Sequence, residues 1–123
     1  MSSAVSSDDD GSAETKKLRE PAVWGGTYWA YYDFIVNTYP RIPSRRHQKV
    51  VSRVFRAQVY CIPCGKCARN YRKIVRQYPP RTESREALQK WLEIVKAEVA
   101  KHIRDRGHAN TATDGMNRGN SHK

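Results

Sequence analysis

No run of apolar residues in this chain approaches the roughly 18 to 20 needed to cross a bilayer, which excludes a transmembrane helix. The N-terminus lacks a basic patch followed by an apolar stretch, so a cleaved secretory signal is not expected. Sustained two-residue alternation of apolar and polar side chains is missing as well, and with it the signature of strands. Cysteine is limited to three residues, which excludes a multi-disulfide scaffold; the odd number points to ligand or reactive chemistry. Acids are scarce: 12 Asp and Glu stand against 23 Lys and Arg, a formal net charge of +11. Such a surface calls for an acidic partner or anionic surroundings. With 123 residues, 38% of them apolar, the chain can build one modest core and no second one.

The charge is concentrated in the middle. Residues 1–20 hold five acids and three bases, residues 104–123 hold two acids and four bases, and the stretch between carries sixteen bases and five acids. Residues 1–21, rich in Ser, Asp and Ala, and residues 107–123, with Gly107, Gly115 and Gly119, are expected to be disordered tails. Residues 22–106 are the expected folded domain, small enough to need a cofactor, a crosslink or a second copy as support.

Within that domain the periodicity is helical throughout. Trp29, Tyr32, Val36 and Tyr39 recur at three- and four-residue spacing until Pro40 and Pro43. Ser44 is a candidate N-cap for a second helix with the stripe Val50, Val51, Val54, Phe55 and Val59. Pro63 suits the first turn of a third helix carrying Cys64, Cys67, Ala68, Tyr71, Ile74 and Val75 on one face. Thr82 or Ser84 caps a fourth, with Leu88, Trp91, Leu92, Val95, Val99 and Ile103 inward and Gly107 at its end. The expected fold is all-α, a four-helix bundle with room for a short extra helix.

Cys61, Cys64 and Cys67 fall at three-residue intervals, and Cys64-Gly65-Lys66-Cys67 opens the third helix. A CxxC pair at a helix N-terminus suits redox work, because free backbone amides and the helix dipole stabilise a thiolate there. One helical turn brings the two sulfurs within disulfide reach. A zinc site would need a fourth ligand from His47 or His102. An iron–sulfur run fails on spacing, since its fourth cysteine would fall at Tyr71. Buried, inert thiols are the plain alternative.

The segment Tyr60-Cys61-Ile62-Pro63-Cys64-Gly65-Lys66-Cys67-Ala68, followed by Arg72-Lys73, resembles the PCxxCA active-site helix of the Erv/ALR flavin-linked sulfhydryl oxidases. Trp29-Ala30-Tyr31-Tyr32-Asp33 and Tyr39-Pro40 upstream, and Trp91 downstream, are similar to that family's other marks at the same distances. The likeness covers residues 24–103 and is closest to the short single-domain members encoded by large DNA viruses. It departs on the cofactor side: Asp33 stands where the family has a histidine, and Lys96, Ala97 and Ala100 replace the His and Asn residues of HNxVN.

What the resemblance implies is an FAD-dependent thiol oxidase. Cys64 would be the outer sulfur attacked by a substrate thiolate, Cys67 the sulfur beside the flavin, and O2 the final acceptor, yielding H2O2. Gly25, Trp29, Asp33, Trp91, Lys96, Val99, Ala100 and Lys101 are the candidate FAD-binding residues, with Lys96 and Lys101 able to meet the pyrophosphate by charge. No metal is expected. Asp33 and Lys96 are expected to pair as carboxylate and ammonium. The partners implied are a protein dithiol, taken directly or through a separate relay thiol protein, and a second copy in a homodimer. The implied place is an infected cell's cytoplasm or a virion for a viral member, and the mitochondrial intermembrane space for a cellular one. Two other readings compete. One is a basic module binding nucleic acid or an acidic protein through Arg45, Arg46, Lys49, Arg53 and Arg56; the other is a family member that has lost FAD.

Overall fold

A computed structural model of the 123-residue chain describes residues 13–115, with side chains described for residues 13–106. Among the described residues five helices run in chain order: α1 (Ala13–Leu18), α2 (Pro21–Thr38), α3 (Arg45–Ala57), α4 (Gly65–Gln77) and α5 (Arg85–Gly115). A single 3-10 turn, Gln58–Tyr60, follows α3. The described residues contain no strand, so the fold is the expected all-α bundle.

The helix ends follow from local chemistry. Pro21 opens α2, where its missing N–H costs nothing. Ser44 caps α3, its Oγ accepting from His47 N–H at 3.0 Å. Ser84 does the same for α5, accepting from Ala87 N–H at 3.0 Å, while Thr82 is buried and its carbonyl accepts the Tyr39 hydroxyl at 2.8 Å. Pro63 lies one residue before the N-cap of α4 rather than inside its first turn, because Cys64 takes the cap. At the far end α5 continues through Gly107 to Gly115. A glycine costs a helix about 1 kcal/mol relative to alanine, and two good helix formers, Ala109 and Ala112, follow it within the next five residues of sequence. Helix α1 falls inside the stretch expected to lack structure; residues 1–12 and 116–123 lie outside the described part.

α5 is the central element and packs mainly against α2 and α4. The core contains Tyr32, Val36 and Tyr39 from α2 and its end, Phe55 from α3, Tyr71, Ile74 and Val75 from α4, and Leu88, Trp91, Leu92 and Val95 from α5. Phe55 is its hub, edge-on to Trp91 at 5.0 Å and to Tyr32 at 5.6 Å between ring centroids. The Tyr71 hydroxyl donates to the Phe55 carbonyl and ties α4 to α3. Two positions expected inward on α3, Val50 and Val54, are 44% and 37% exposed. Each precedes an inward neighbour, Val51 or Phe55, by one residue and is therefore turned about 100° off the buried stripe. Ile103, also expected inward, is 61% exposed because it borders an open hollow rather than packed side chains.

Candidate functional site

Cys64 is the N-cap of α4, an office usually held by an oxygen. Its Sγ accepts a hydrogen bond from Cys67 N–H at 3.3 Å, where an oxyanion or thiolate also gains from the helix dipole. Cys67 lies one turn on, and its Sγ stands 2.7 Å from Cys64 Sγ, against about 2.05 Å in a closed disulfide. Both thiols are partly buried and free. A very small movement joins them.

The two sulfurs are electrically unlike. Burial pushes the Cys64 thiol up, but hydrogen bonds from the Cys67 thiol and from the Cys67 and Lys66 backbone N–H groups, with the charge of Arg106, bring it below its ordinary value. Cys67 moves the other way, to about 11, through burial, its hydrogen bond to Cys64 and the negative charge Cys64 develops. Of the two, Cys64 therefore ionises first, and Cys67 keeps its proton to higher pH.

Cys67 also forms part of the wall of a cavity of about 500 Å3 between α2, α4 and α5. Trp24, Tyr28, Trp29 and Tyr32 supply a largely aromatic side from α2, with Trp24 edge-on to Tyr28 at 4.8 Å. Ile62, Asn70 and Tyr71 close the side near the cysteines, and Val99, His102, Ile103 and Arg106 come from α5. Tyr28 donates its hydroxyl to the Cys61 carbonyl at 2.8 Å and so fixes the cysteine loop to α2.

Gly25 and Gly26 line the same cavity in mid-helix, and a Cβ built on either would meet no atom within 4 Å. No packing within the protein demands glycine there, and each costs roughly 0.5–1 kcal/mol of helix stability relative to alanine. Bare backbone facing an apolar, aromatic hollow beside a redox sulfur is the shape that a large planar cofactor requires. The residues present fit a flavin.

The candidate residues from the sequence divide into groups. Gly25, Trp29 and Val99 line the cavity with Cys67. Asp33 and Lys96 form the expected ion pair, Nζ to Oδ1 at 2.7 Å, in a separate polar cleft of about 300 Å3 with Asn37, Gln89 and Glu93. Lys96 also lies 5.9 Å from the centroid of the Trp29 ring and shares a shallow depression with Trp29, Val99 and Ala100, so it bridges the cleft and the aromatic wall. Trp91 is 1% exposed and sits in the core, its Nε1–H donating to the Tyr78 carbonyl at 2.7 Å; it does not face the cavity. Lys101 is exposed and lines neither the cavity nor the cleft.

As cavity residues, sequence reasoning missed Trp24, Gly26, Tyr28, Asn70 and Arg106, and it weighed His102 only as a zinc ligand. The α5 members were recoverable, because Val99, His102, Ile103 and Arg106 continue one helical face at i, i+3, i+4 and i+7.

The rival features were placed too. Cys61 is exposed, caps the 3-10 turn and does not line the cavity. Among the described residues no three His, Cys, Asp or Glu side chains stand together as metal ligands. Arg45, Lys49 and Arg53 line an open depression on α3 with Gln48, Ser52 and Thr82, which shares no residue with the cysteine cavity. No helix among the described residues is long and apolar enough to cross a membrane.

Comparison with known proteins adds the last observations. The family model described as Erv1/Alr matches residues 26–116. The chain is 27% identical over 96 residues to the mitochondrial FAD-linked sulfhydryl oxidase of Saccharomyces cerevisiae, covering 76% of this chain and 51% of that protein. It is 34% identical over 74 residues to a probable FAD-linked sulfhydryl oxidase of Acanthamoeba polyphaga mimivirus, covering 58% of this chain and 52% of that one. A third relative, an FAD-linked sulfhydryl oxidase of Arabidopsis thaliana, is 28% identical over 68 residues, 55% of this chain and 36% of the relative. The chain thus spans about half the length, or less, of the curated relatives it matches.

Proposed function

The chain belongs to the Erv1/Alr family, and on that footing we propose that it is an FAD-dependent thiol oxidase whose working pair is Cys64 and Cys67. The observation that carries this reading is the position of Cys67, bonded to Cys64 on one side and exposed to an aromatic, glycine-backed cavity on the other.

Substrate chemistry begins at Cys64. With the pair closed as a disulfide, a substrate thiolate attacks Cys64 Sγ and Cys67 leaves as the thiolate. A second substrate thiolate then attacks the substrate sulfur of the mixed disulfide. It closes the substrate disulfide and releases Cys64, whose negative charge is held by the α4 amides and the field of Arg106. The protein ends as the dithiol, with Cys67 donating its S–H to Cys64.

Trp24, Tyr28, Trp29, Gly25 and Gly26 would hold the cofactor's ring system against Cys67, and Arg106 supplies positive charge on the α5 side, with the His102 ring beside it. Bound there, FAD supplies a two-electron acceptor that dioxygen can reoxidise, with hydrogen peroxide as the product. The Tyr28–Cys61 bond keeps the cysteine loop against the aromatic wall. The working unit is residues 22–106. A second copy covers Tyr31 and Phe34, which α2 leaves 56% and 70% exposed, and sedimentation as a dimer tests that part.

The deciding experiment is reconstitution with FAD followed by dithiol-dependent oxygen uptake. Native protein consumes oxygen and forms peroxide, and both Cys64→Ser and Cys67→Ser lose that activity while Cys61→Ser retains it. Flavin-loaded protein that oxidises no dithiol would remove the assignment.

A further inference from the structure

Between Asp33 and Glu83 the sequence contains no acidic residue, yet twelve Lys and Arg fall there, five of them on α4. The fold places two of these, Lys66 and Arg69, beside the redox pair and a third, Arg72, at the start of the cysteine loop. Lys66 lies between the two cysteines, exposed, with its backbone N–H turned to Cys64 Sγ. Arg69 folds back so that its Nη1 comes within 3.5 Å of where a Cβ on Gly65 would be, beside Cys64. Arg72 lies 5.9 Å from the centroid of Tyr60, the ring that leads into the cysteine loop. Arg106 arrives from α5 on the cavity side and bears on both sulfurs. Among the described residues none of these four cations has an ion-pair partner; the carboxylates of Glu83 and Asp33 are taken by Arg81 and Lys96.

Four unneutralised cations on the cysteine loop and the helix face beside it exceed what thiolate stabilisation needs. The N-cap amides and Arg106 already serve that purpose. Lys66, Arg69 and Arg72 point to whatever approaches Cys64 from solvent, and a carrier with positive charge beside its thiols would be repelled there. We infer that the substrate of this protein is a dithiol carried on an acidic polypeptide segment, recognised by Lys66, Arg69 and Arg72 around Cys64. The inference rests on the oxidase reading given above and adds the class of substrate to it. The reaction balances without a further reagent: the substrate dithiol loses two electrons and two protons and becomes a disulfide, while the Cys64–Cys67 disulfide gains them and becomes the dithiol.

The test uses the full chain with its cysteine pair oxidised, in single turnover, against three substrates. These are dithiothreitol and two synthetic peptides of one length and one CxxC core, one flanked by aspartates and the other by lysines. The rate of loss of substrate thiols is read at low and high salt. The acidic peptide should react at least ~10-fold faster than the basic one at low salt, with the gap closing as salt screens it. In Arg69→Gln/Arg72→Gln the ratio of acidic to basic rates should fall several-fold, with the dithiothreitol rate of each protein correcting for any change in the sulfur chemistry. Equal rates for the two peptides, with dithiothreitol oxidised, would overturn the inference and leave the oxidase reading standing. Failure to oxidise dithiothreitol as well would bring down the oxidase reading and the inference together.

Discussion

Lys96 Nζ stands 2.7 Å from Asp33 Oδ1, joining α5 to α2 across 63 residues of sequence. The side chains are 39% and 42% exposed, so the pair is half in water and its attraction is screened. Its value lies in position: it holds the ammonium beside the Trp29 ring, at the edge of the aromatic wall.

A double-mutant cycle on Asp33→Asn and Lys96→Met should therefore give a coupling of about 0.2–1 kcal/mol in thermal or denaturant unfolding. Strict additivity would mean that the two side chains do not meet in solution. A coupling of several kcal/mol would mean that the cleft is far drier than its geometry indicates.

The unlike environments of the two thiols predict unlike reactivity. In the reduced protein Cys64 should be alkylated first by iodoacetamide, with a rate that already rises below the ordinary thiol range, since its lowered value puts thiolate there at lower pH. Cys67 should stay slow until the pH nears about 11. Mass-spectrometric mapping of the modified cysteine across pH reads this directly. Earlier or equal labelling of Cys67 contradicts it.

Gly25 and Gly26 give a prediction with two signs. Gly26→Ala should stabilise the cofactor-free protein by up to about 1 kcal/mol, because the helix gains and no atom is displaced. Gly26→Leu, which fills the hollow, should weaken FAD uptake at least tenfold while the chain still folds. Unchanged FAD affinity in Gly26→Leu would place the flavin elsewhere.

Trp91 separates core from site. Trp91→Phe removes the bond to the Tyr78 carbonyl and should cost about 1 kcal/mol or more of stability, leaving a part-buried acceptor without its protein donor. FAD affinity should hold within about twofold once the melt is accounted for, because the ring does not line the cavity. A selective loss of flavin would return Trp91 to the site.

The sequence carried the helices and the sulfur pair because both are local signals. Ser44, Cys64 and Ser84 each mark a helix start within one turn of the residue they cap. The Asp33–Lys96 pair was legible because the two charges stand where the resembled family has histidines, with Asp33 one turn from Trp29. Trp29 and Trp91 could not be told apart, since periodicity places a ring on an inward face and not in a cavity or a core. The Tyr28–Cys61 bond, spanning 33 residues, exists only once α2 and the cysteine loop are packed together. The rim of cations was hidden differently: the net charge announced it, but only the fold back of Arg69 and the arrival of Arg106 put charge at the sulfurs.

The most direct test of the account is the flavin absorbance of FAD-loaded protein, followed without oxygen as a dithiol is added. Native protein should bleach completely, with about one dithiol consumed per FAD once the cysteine pair is itself reduced. Cys67→Ser should bind FAD equally and keep its colour. Bleaching at the native rate in Cys67→Ser, or native protein that takes up no FAD, would contradict the claim that Cys67 links the substrate side to a flavin in this cavity.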